Sequence, residues 1–134
     1  MPAIDDQLLR LNRHLNAFAQ QSELPLARFQ ALALIKRHNP ITLRQLCDIQ
    51  QVSMPTMSKL VDELQNQSLV IRAQSKDDAR QRWIVPTQKG ILELDRASIA
   101  NRSYWQKKLG NLNDEQLAQL DGSLALLLDA IELE

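Results

Sequence analysis

The chain has 134 residues, 16 Lys+Arg balanced by 16 Asp+Glu, 44% hydrophobic residues, one Cys and two His. That length fits one domain, or a domain plus an oligomerisation element, and leaves no room for a separate cofactor domain. One Cys cannot form an internal disulfide, one Cys with two scattered His cannot close a structural zinc site, and no apolar run nears the ~18–20 residues that span a bilayer. The opening residues, MPAIDDQ, are acidic at once, unlike an export signal, so a cytoplasmic protein is expected.

The zero net charge hides a gradient. Residues 1–41, 42–90 and 91–109 each carry two more bases than acids, whereas residues 110–134 carry six acids and no base. A mildly basic body with an acidic tail is a chain whose first two-thirds tolerate phosphate.

Ile4, Leu8, Leu11, Leu15 and Phe18 recur at helical spacing and predict a first helix over about residues 4–20. Pro25 opens a second helix carrying Leu26, Phe29, Leu32, Ala33 and Ile35, which Asn39-Pro40 stops. Thr42-x-x-Gln45 is a capping-box pattern opening a short third helix from Leu43 to about Gln50. Ser53 is a good N-cap for a fourth, with Met57, Leu60, Val61 and Leu64 on one face as far as about Gln67. At Leu69 the character changes. Leu69 to Gln74 and Gln81 to Val85 are short, β-branched and aromatic runs around a polar stretch from Ser75 to Arg80, which predicts a β-hairpin. Thr87 caps a long fifth helix with Ile91, Leu94, Ser98, Trp105 and Leu109 along one side, ended by Gly110. Asn113-x-x-Gln116 starts a sixth, with Leu117, Leu120, Leu124, Leu127, Leu128 and Ile131.

Helix, tight turn, helix and hairpin make a winged helix-turn-helix, a mostly α fold with a small β wing. The major groove of B-DNA, roughly 12 Å wide, admits one helix, read from its N-terminal turns. With Met57, Leu60, Val61 and Leu64 turned inward, Pro55, Thr56, Ser58 and Lys59 face out at the front of the fourth helix. Small hydroxyls and a lysine suit base edges and phosphates. Asp62 and Glu63, further along, would repel phosphate. The hairpin adds Lys76, Arg80 and Arg82 at or near its tip, where an arginine can enter a narrow minor groove. Asp78 is read as a structural partner holding that loop.

The ordered set of Thr42-Leu43-Arg44-Gln45-Leu46, Val52 through Leu64, Leu69-Val70-x-Arg72, Asp78-x-Arg80 and Thr87-x-x-Gly90 resembles the MarR family of bacterial transcription regulators. The resemblance runs along nearly the whole chain. It implies a sequence-specific regulator, a repressor, holding double-stranded DNA at a near-palindromic operator as a homodimer. A DNA-binding lobe would span about residues 25–90, with helical dimerisation regions over about 1–20 and 91–134. The resemblance implies groove contacts from Pro55, Thr56, Ser58 and Lys59 and a minor-groove contact from Arg80; the full expected DNA-facing set adds Arg44, Ser53, Lys76 and Arg82, with Arg72 and Asp78 structuring the wing. A small aromatic or phenolic effector is the ligand class the resemblance brings with it, and it brings no cofactor and no metal. The sequence departs from the family pattern at four places. Gln51 and Ser68 stand where glycine is usual, and a left-handed backbone at a residue with a Cβ costs about 1–2 kcal/mol. Pro86 replaces a leucine, so the second wing strand is expected to end early. Gln50 replaces an apolar residue, with Ile49 beside it as the substitute.

The dimer has support of its own. At about 100° per residue, Leu126 points nearly opposite Leu124, and Leu9 adds a second apolar direction beside Leu8. An arc this wide suits burial on more than one side. The expected interface comprises Ile4, Leu8, Leu11 and Leu15 with Leu117, Leu120, Leu124, Leu127, Leu128 and Ile131. Asp129, Glu132 and Glu134 crowd a helix C-terminus that disfavours them. Arg10 and Arg13 are expected to pair with them across the interface.

Cys47 is read as an inert core thiol rather than a redox sensor. His14 and His38 are read as surface groups, Trp83 as packing for the wing, and Tyr104 and Trp105 as dimer or core packing. A winged helix used for protein–protein contact is the alternative function, but it calls for an apolar outward face and a wing poor in arginine. An enzyme lacks material here, with no Gly-rich phosphate loop, nucleophile–base arrangement or metal-ligand spacing.

Overall fold

A computed structural model describes residues 2–21, 24–74, 76–78 and 80–132. Its elements in chain order are α1 (Pro2–Gln21), α2 (Leu26–Arg37), β1 (Ile41–Thr42), α3 (Leu43–Gln50), α4 (Met54–Asn66), β2 (Val70–Gln74), β3 (Arg82–Pro86), α5 (Gln88–Lys108) and α6 (Asp114–Glu132). They form two compact units, residues 1–98 and 99–134, whose boundary falls inside α5. Ser75 and Ala79, within the polar stretch between the two strand-like runs, and Glu134, one of the three C-terminal acids, lie outside the described residues.

The core of the first unit is built where α2, α3, α4 and the sheet meet. Leu32, Ile35, Leu46, Val61, Leu64, Leu69 and Val70 are fully buried there, with Ile41, Met57 and Ile84 at 1% exposure. Each such side chain contributes about 1.5–3 kcal/mol by leaving water. Leu94, on the first half of α5, completes the cluster.

Local chemistry sets the helix ends. The Thr42 hydroxyl accepts from Gln45 N–H (3.1 Å) while the Gln45 amide accepts from Thr42 N–H (2.9 Å), the complete capping box. Ser53 caps α4 by accepting from Thr56 N–H. Both helices end in a left-handed residue that is not glycine, Gln51 at φ 55° and Ser68 at φ 63°. Around Ser68 the Leu69 N–H reaches Leu64 O (2.9 Å) and the Ser68 N–H reaches Gln65 O (2.9 Å), the paired bonds of a Schellman end. Leu64 and Leu69, its hydrophobic contact, are both fully buried. That burial is what holds a side chain in a glycine conformation.

Three strands pair antiparallel in the order β1-β3-β2, with Ile41 opposite Ile84, Arg72 opposite Ile84 and Gln74 opposite Arg82. The expected two-stranded hairpin therefore gains β1, which at two residues is too short to show a period. The second wing strand does not end early: Pro86 lies within β3, opposite Val70. Thr87 donates its N–H to Leu69 O on the β2 side (3.0 Å), so by alternation the ring nitrogen of Pro86 faces the other edge. There β1 has already ended, and no ladder bond is lost. Ile49 does not replace the missing apolar group at Gln50 either. It is 47% exposed, and Val52 packs on the core.

The start of α5 is strapped to the end of α4. Thr87 Oγ1 accepts from Gly90 N–H (3.0 Å) and donates to Ser68 O (2.6 Å), while Lys89 Nζ donates to Gln67 O (2.9 Å). Gly90 is buried against the Leu69 carbonyl.

Asn113 and Gln116 exchange side-chain to N–H bonds at the start of α6 (3.0 and 2.8 Å), as their spacing predicted. Tyr104 and Trp105 meet edge to face, centroids 5.2 Å apart, with Lys108 Nζ 5.5 Å from the Tyr104 ring centre. No described side chain of α1 or α6 is buried. Ile4, Leu8, Leu11, Leu117, Leu124, Leu128 and Ile131 are exposed, and Leu15, Leu120 and Leu127 are half-buried. Arg10 pairs within its own helix with Asp6 (3.7 Å). Among the described residues no helix is long and apolar enough to cross a membrane, and no cluster of His, Cys, Asp or Glu could hold a metal.

Candidate nucleic-acid interface

The front of α4 is fixed by its cap and by its buried face. With Met57, Val61 and Leu64 committed to the core, Ser53, Pro55, Thr56 and Lys59 are exposed and Ser58 is half-buried. The Ser53 and Thr56 hydroxyls bond each other (2.9 Å), so both are held at the helix tip.

The wing loop is a turn built on Asp78. Its carboxylate accepts from Arg80 N–H (2.9 Å) and its carbonyl accepts from Gln81 N–H (3.0 Å). This sets Arg80 at the turn, with Lys76 earlier in the same loop and Arg82 opening β3, all exposed.

Between α3, α4 and the wing runs a groove of about 520 Å³, lined by Arg44, Ser58, Arg72, Asp78, Arg80 and Arg82 among others. The fold thus brings cations from the third helix and both sides of the hairpin onto one concave surface. Ser53, Pro55, Thr56, Lys59 and Lys76 lie outside its lining. Among the described residues Arg44, Lys59, Arg80 and Arg82 form no ion pair.

The two acids of α4 are handled differently from the sequence expectation. Arg72 in β2 bonds Asp62 (2.8 Å) and also donates to the Gln65 side chain. Arg28 in α2 donates to Glu63 through Nε (3.2 Å) and Nη2 (3.1 Å). Both carboxylates are therefore matched by a guanidinium, which lowers the repulsion they present to a polyanion. Arg28 carried no signal in the sequence, standing 35 residues from its partner.

Cys47 sits behind this surface on α3, 7% exposed, with Sγ 3.3 Å from Met54 Sδ. Burial, and then the neighbouring Asp48 carboxylate, push its thiol up from the ordinary value, which keeps it protonated. Trp83, half-buried on β3, faces Thr42 and Ala73 across the sheet.

A family model described as the MarR family matches residues 22–81, which takes in α2, α3, α4, β2 and most of the wing loop. The HTH-type transcriptional repressor IacR of Pseudomonas putida is 19% identical over 123 residues, covering 92% of this chain and 74% of its own. Among solved structures, Streptococcus pneumoniae FabT in complex with DNA matches with a TM-score of 0.83 at 17% identity, covering 98% of this chain and 96% of FabT. Bordetella bronchiseptica BpsR, described for regulation of its DNA binding by 6-hydroxynicotinic acid, matches with a TM-score of 0.81 at 18% identity, covering 98% and 94%. The family model match over residues 22–81, curated relatives that are transcriptional regulators, and a winged-helix fold shared along nearly the whole chain with the solved structures of MarR, FabT and BpsR agree in making this chain similar to the MarR-family regulators.

Proposed function

We propose that this chain is a transcriptional repressor that holds a near-palindromic duplex as a homodimer. The observation that carries the reading is the arginine-lined groove beside a capped helix tip, where the two acids of α4 are paired with guanidinium groups and the one lining carboxylate, Asp78, accepts from Arg80 N–H. Pro55, Thr56, Ser58 and Lys59 face the major groove, Arg80 with Lys76 and Arg82 reaches the adjacent minor groove or its phosphates, and Arg44 and Ser53 contact backbone.

The dimer is supported by the apolar side chains that α1 and α6 each leave in water, Ile4, Leu8 and Leu11 on one, Leu124, Leu128 and Ile131 on the other. Each forfeits about 1.5–3 kcal/mol when left uncovered, which a second copy recovers. A two-fold pair sets two recognition helices about 34–36 Å apart, one turn of the duplex. The repressor role and an aromatic or phenolic effector draw support from what is stated of IacR and BpsR. Such an effector must bind the DNA-competent and incompetent states unequally.

Selection of bound duplexes from a random pool tests the reading, followed by a gel shift over a salt series. The expected result is an inverted repeat whose log affinity falls steeply with log salt, close to one unit per phosphate neutralised. Recovery of no enriched duplex, with no salt-dependent binding, would point instead to a winged helix used for protein contact.

A further inference from the structure

Two sulfur atoms meet at the turn that aims the recognition helix. Met54 is the first residue of α4, directly after the Ser53 cap, and is 47% exposed. Its Sδ accepts from the Cys47 thiol, which reaches it from the buried side of α3 at 3.3 Å. The turn between them is the one that forces Gln51 to φ 55°, and the N–H groups of Gln51 and Val52 both close on the Cys47 carbonyl. Cys47 thus holds the turn through its carbonyl and holds the first residue of α4 through its thiol. Met57, one helical turn further on, is 1% exposed.

The two sulfurs answer oxidants differently. A thiol reacts as its thiolate, and the buried, protonated Cys47 is a poor nucleophile. A thioether has no proton to lose and needs only access to a sulfur lone pair. Of the two lone pairs on Met54 Sδ, the Cys47 contact engages one. We propose that Met54 is an oxidation site through which a peroxide or hypochlorous acid loosens the α3–α4 turn and weakens the hold of α4 on duplex DNA. The consequence for DNA rests on the function proposed above; the oxidation site does not.

In this step one oxygen atom passes from the oxidant to Sδ. The sulfur loses two electrons and becomes a sulfoxide. Peroxide leaves as water, and hypochlorous acid leaves as chloride and a proton. The oxidised sulfur is a poor acceptor, so the Cys47 S–H loses its partner, while the new S=O group needs hydrogen bonds of its own beside the α3–α4 contact. Methionine sulfoxide reductases reverse the change.

The test treats the full chain with graded hydrogen peroxide or hypochlorous acid, maps the oxygen by peptide mass spectrometry and measures affinity for a selected duplex at each step. Oxygen should enter Met54 ahead of Met57, with Cys47 still alkylatable after denaturation. Affinity should fall about threefold or more as Met54 sulfoxide accumulates. It should recover with the reductases, and the response should vanish in Met54→Leu. Oxidation of Cys47 or Met57 before Met54, or unchanged affinity of the Met54 sulfoxide protein, overturns the proposal. Should Met54→Leu fail to fold, the wild-type map and the reductase recovery decide. Untreated protein that binds no duplex refutes the DNA half together with the function proposed above, while the map still judges the site.

Discussion

Replacing Gly90 by alanine tests how the wing base is packed. A Cβ at this position would lie 2.1 Å from Leu69 O and 3.0 Å from Leu69 C, both backbone atoms. Ordinary carbon–oxygen contact lies more than 1 Å further out, so one backbone must move. Leu69 is poorly placed to yield, being fully buried, bonded to Leu64 O through its N–H and accepting from Thr87 N–H. Displacing α5 instead strains the Thr87–Leu69 and Thr87–Ser68 bonds, each worth about 1 kcal/mol. Overpacking typically adds about 1–3 kcal/mol, and the better helix propensity of alanine returns at most about 1 kcal/mol. A net loss of about 2–4 kcal/mol follows, which for a chain of this size lowers Tm by roughly 8–15 °C. Thermal and urea unfolding at one fixed protein concentration, compared with Gly122→Ala, give the measurement. Gly122 lies in α6 with nothing within 4 Å of an added Cβ, so that substitution should raise stability by about 0.5–1 kcal/mol. A Gly90→Ala protein within about 0.5 kcal/mol of the parent would refute this reasoning.

Lys59→Ala and Arg80→Ala should each weaken duplex binding by about 1–3 kcal/mol where the side chain reads a base, or lower the salt slope by about one where it touches phosphate. Thermal unfolding should hardly change in either, and two variants that bind like the parent would remove both residues from the interface. Ser68→Gly should stabilise the protein by about 0.5–1 kcal/mol, because it relieves a left-handed backbone at φ 63°; equal or lower urea midpoints would contradict this. Cys47 should resist iodoacetamide in the native state through and above the pH at which an exposed thiol reacts, since burial and Asp48 raise its pKa. The same raised value means that its share of stability is intact while the unfolded thiol is still protonated and is lost as pH climbs through the folded value. Fast alkylation of folded protein near neutrality would show the thiol to be open.

The helix boundaries were legible because their causes are local. Thr42 with Gln45, Ser53, and Asn113 with Gln116 each act within three residues, and all three caps are present. The recognition helix was legible from the buried spacing of Met57, Val61 and Leu64. What escaped depends on distance along the chain. The Arg28–Glu63 pair joins two helices whose approach only the fold determines, and β1 is two residues that become a strand because β3 lies beside them. Pro86 misled because a proline interrupts a strand only where its ring nitrogen faces a paired edge, and which edge it faces is decided by the fold. The Cys47–Met54 contact was hidden for a similar reason, since seven residues of separation place the two sulfurs together only through a left-handed Gln51.

The guanidinium behind the recognition helix has a further consequence. Asp62 is muted toward a polyanion only while β2 keeps Arg72 at 2.8 Å, and its side chain remains 59% exposed. A state in which the hairpin swings away would uncover that negative charge on α4, the helix that the proposed function brings up to phosphate. On the proposed function, a displaced wing would therefore do more than withdraw Arg80: it would also turn part of α4 repulsive toward phosphate, so that one movement would act twice against a bound duplex.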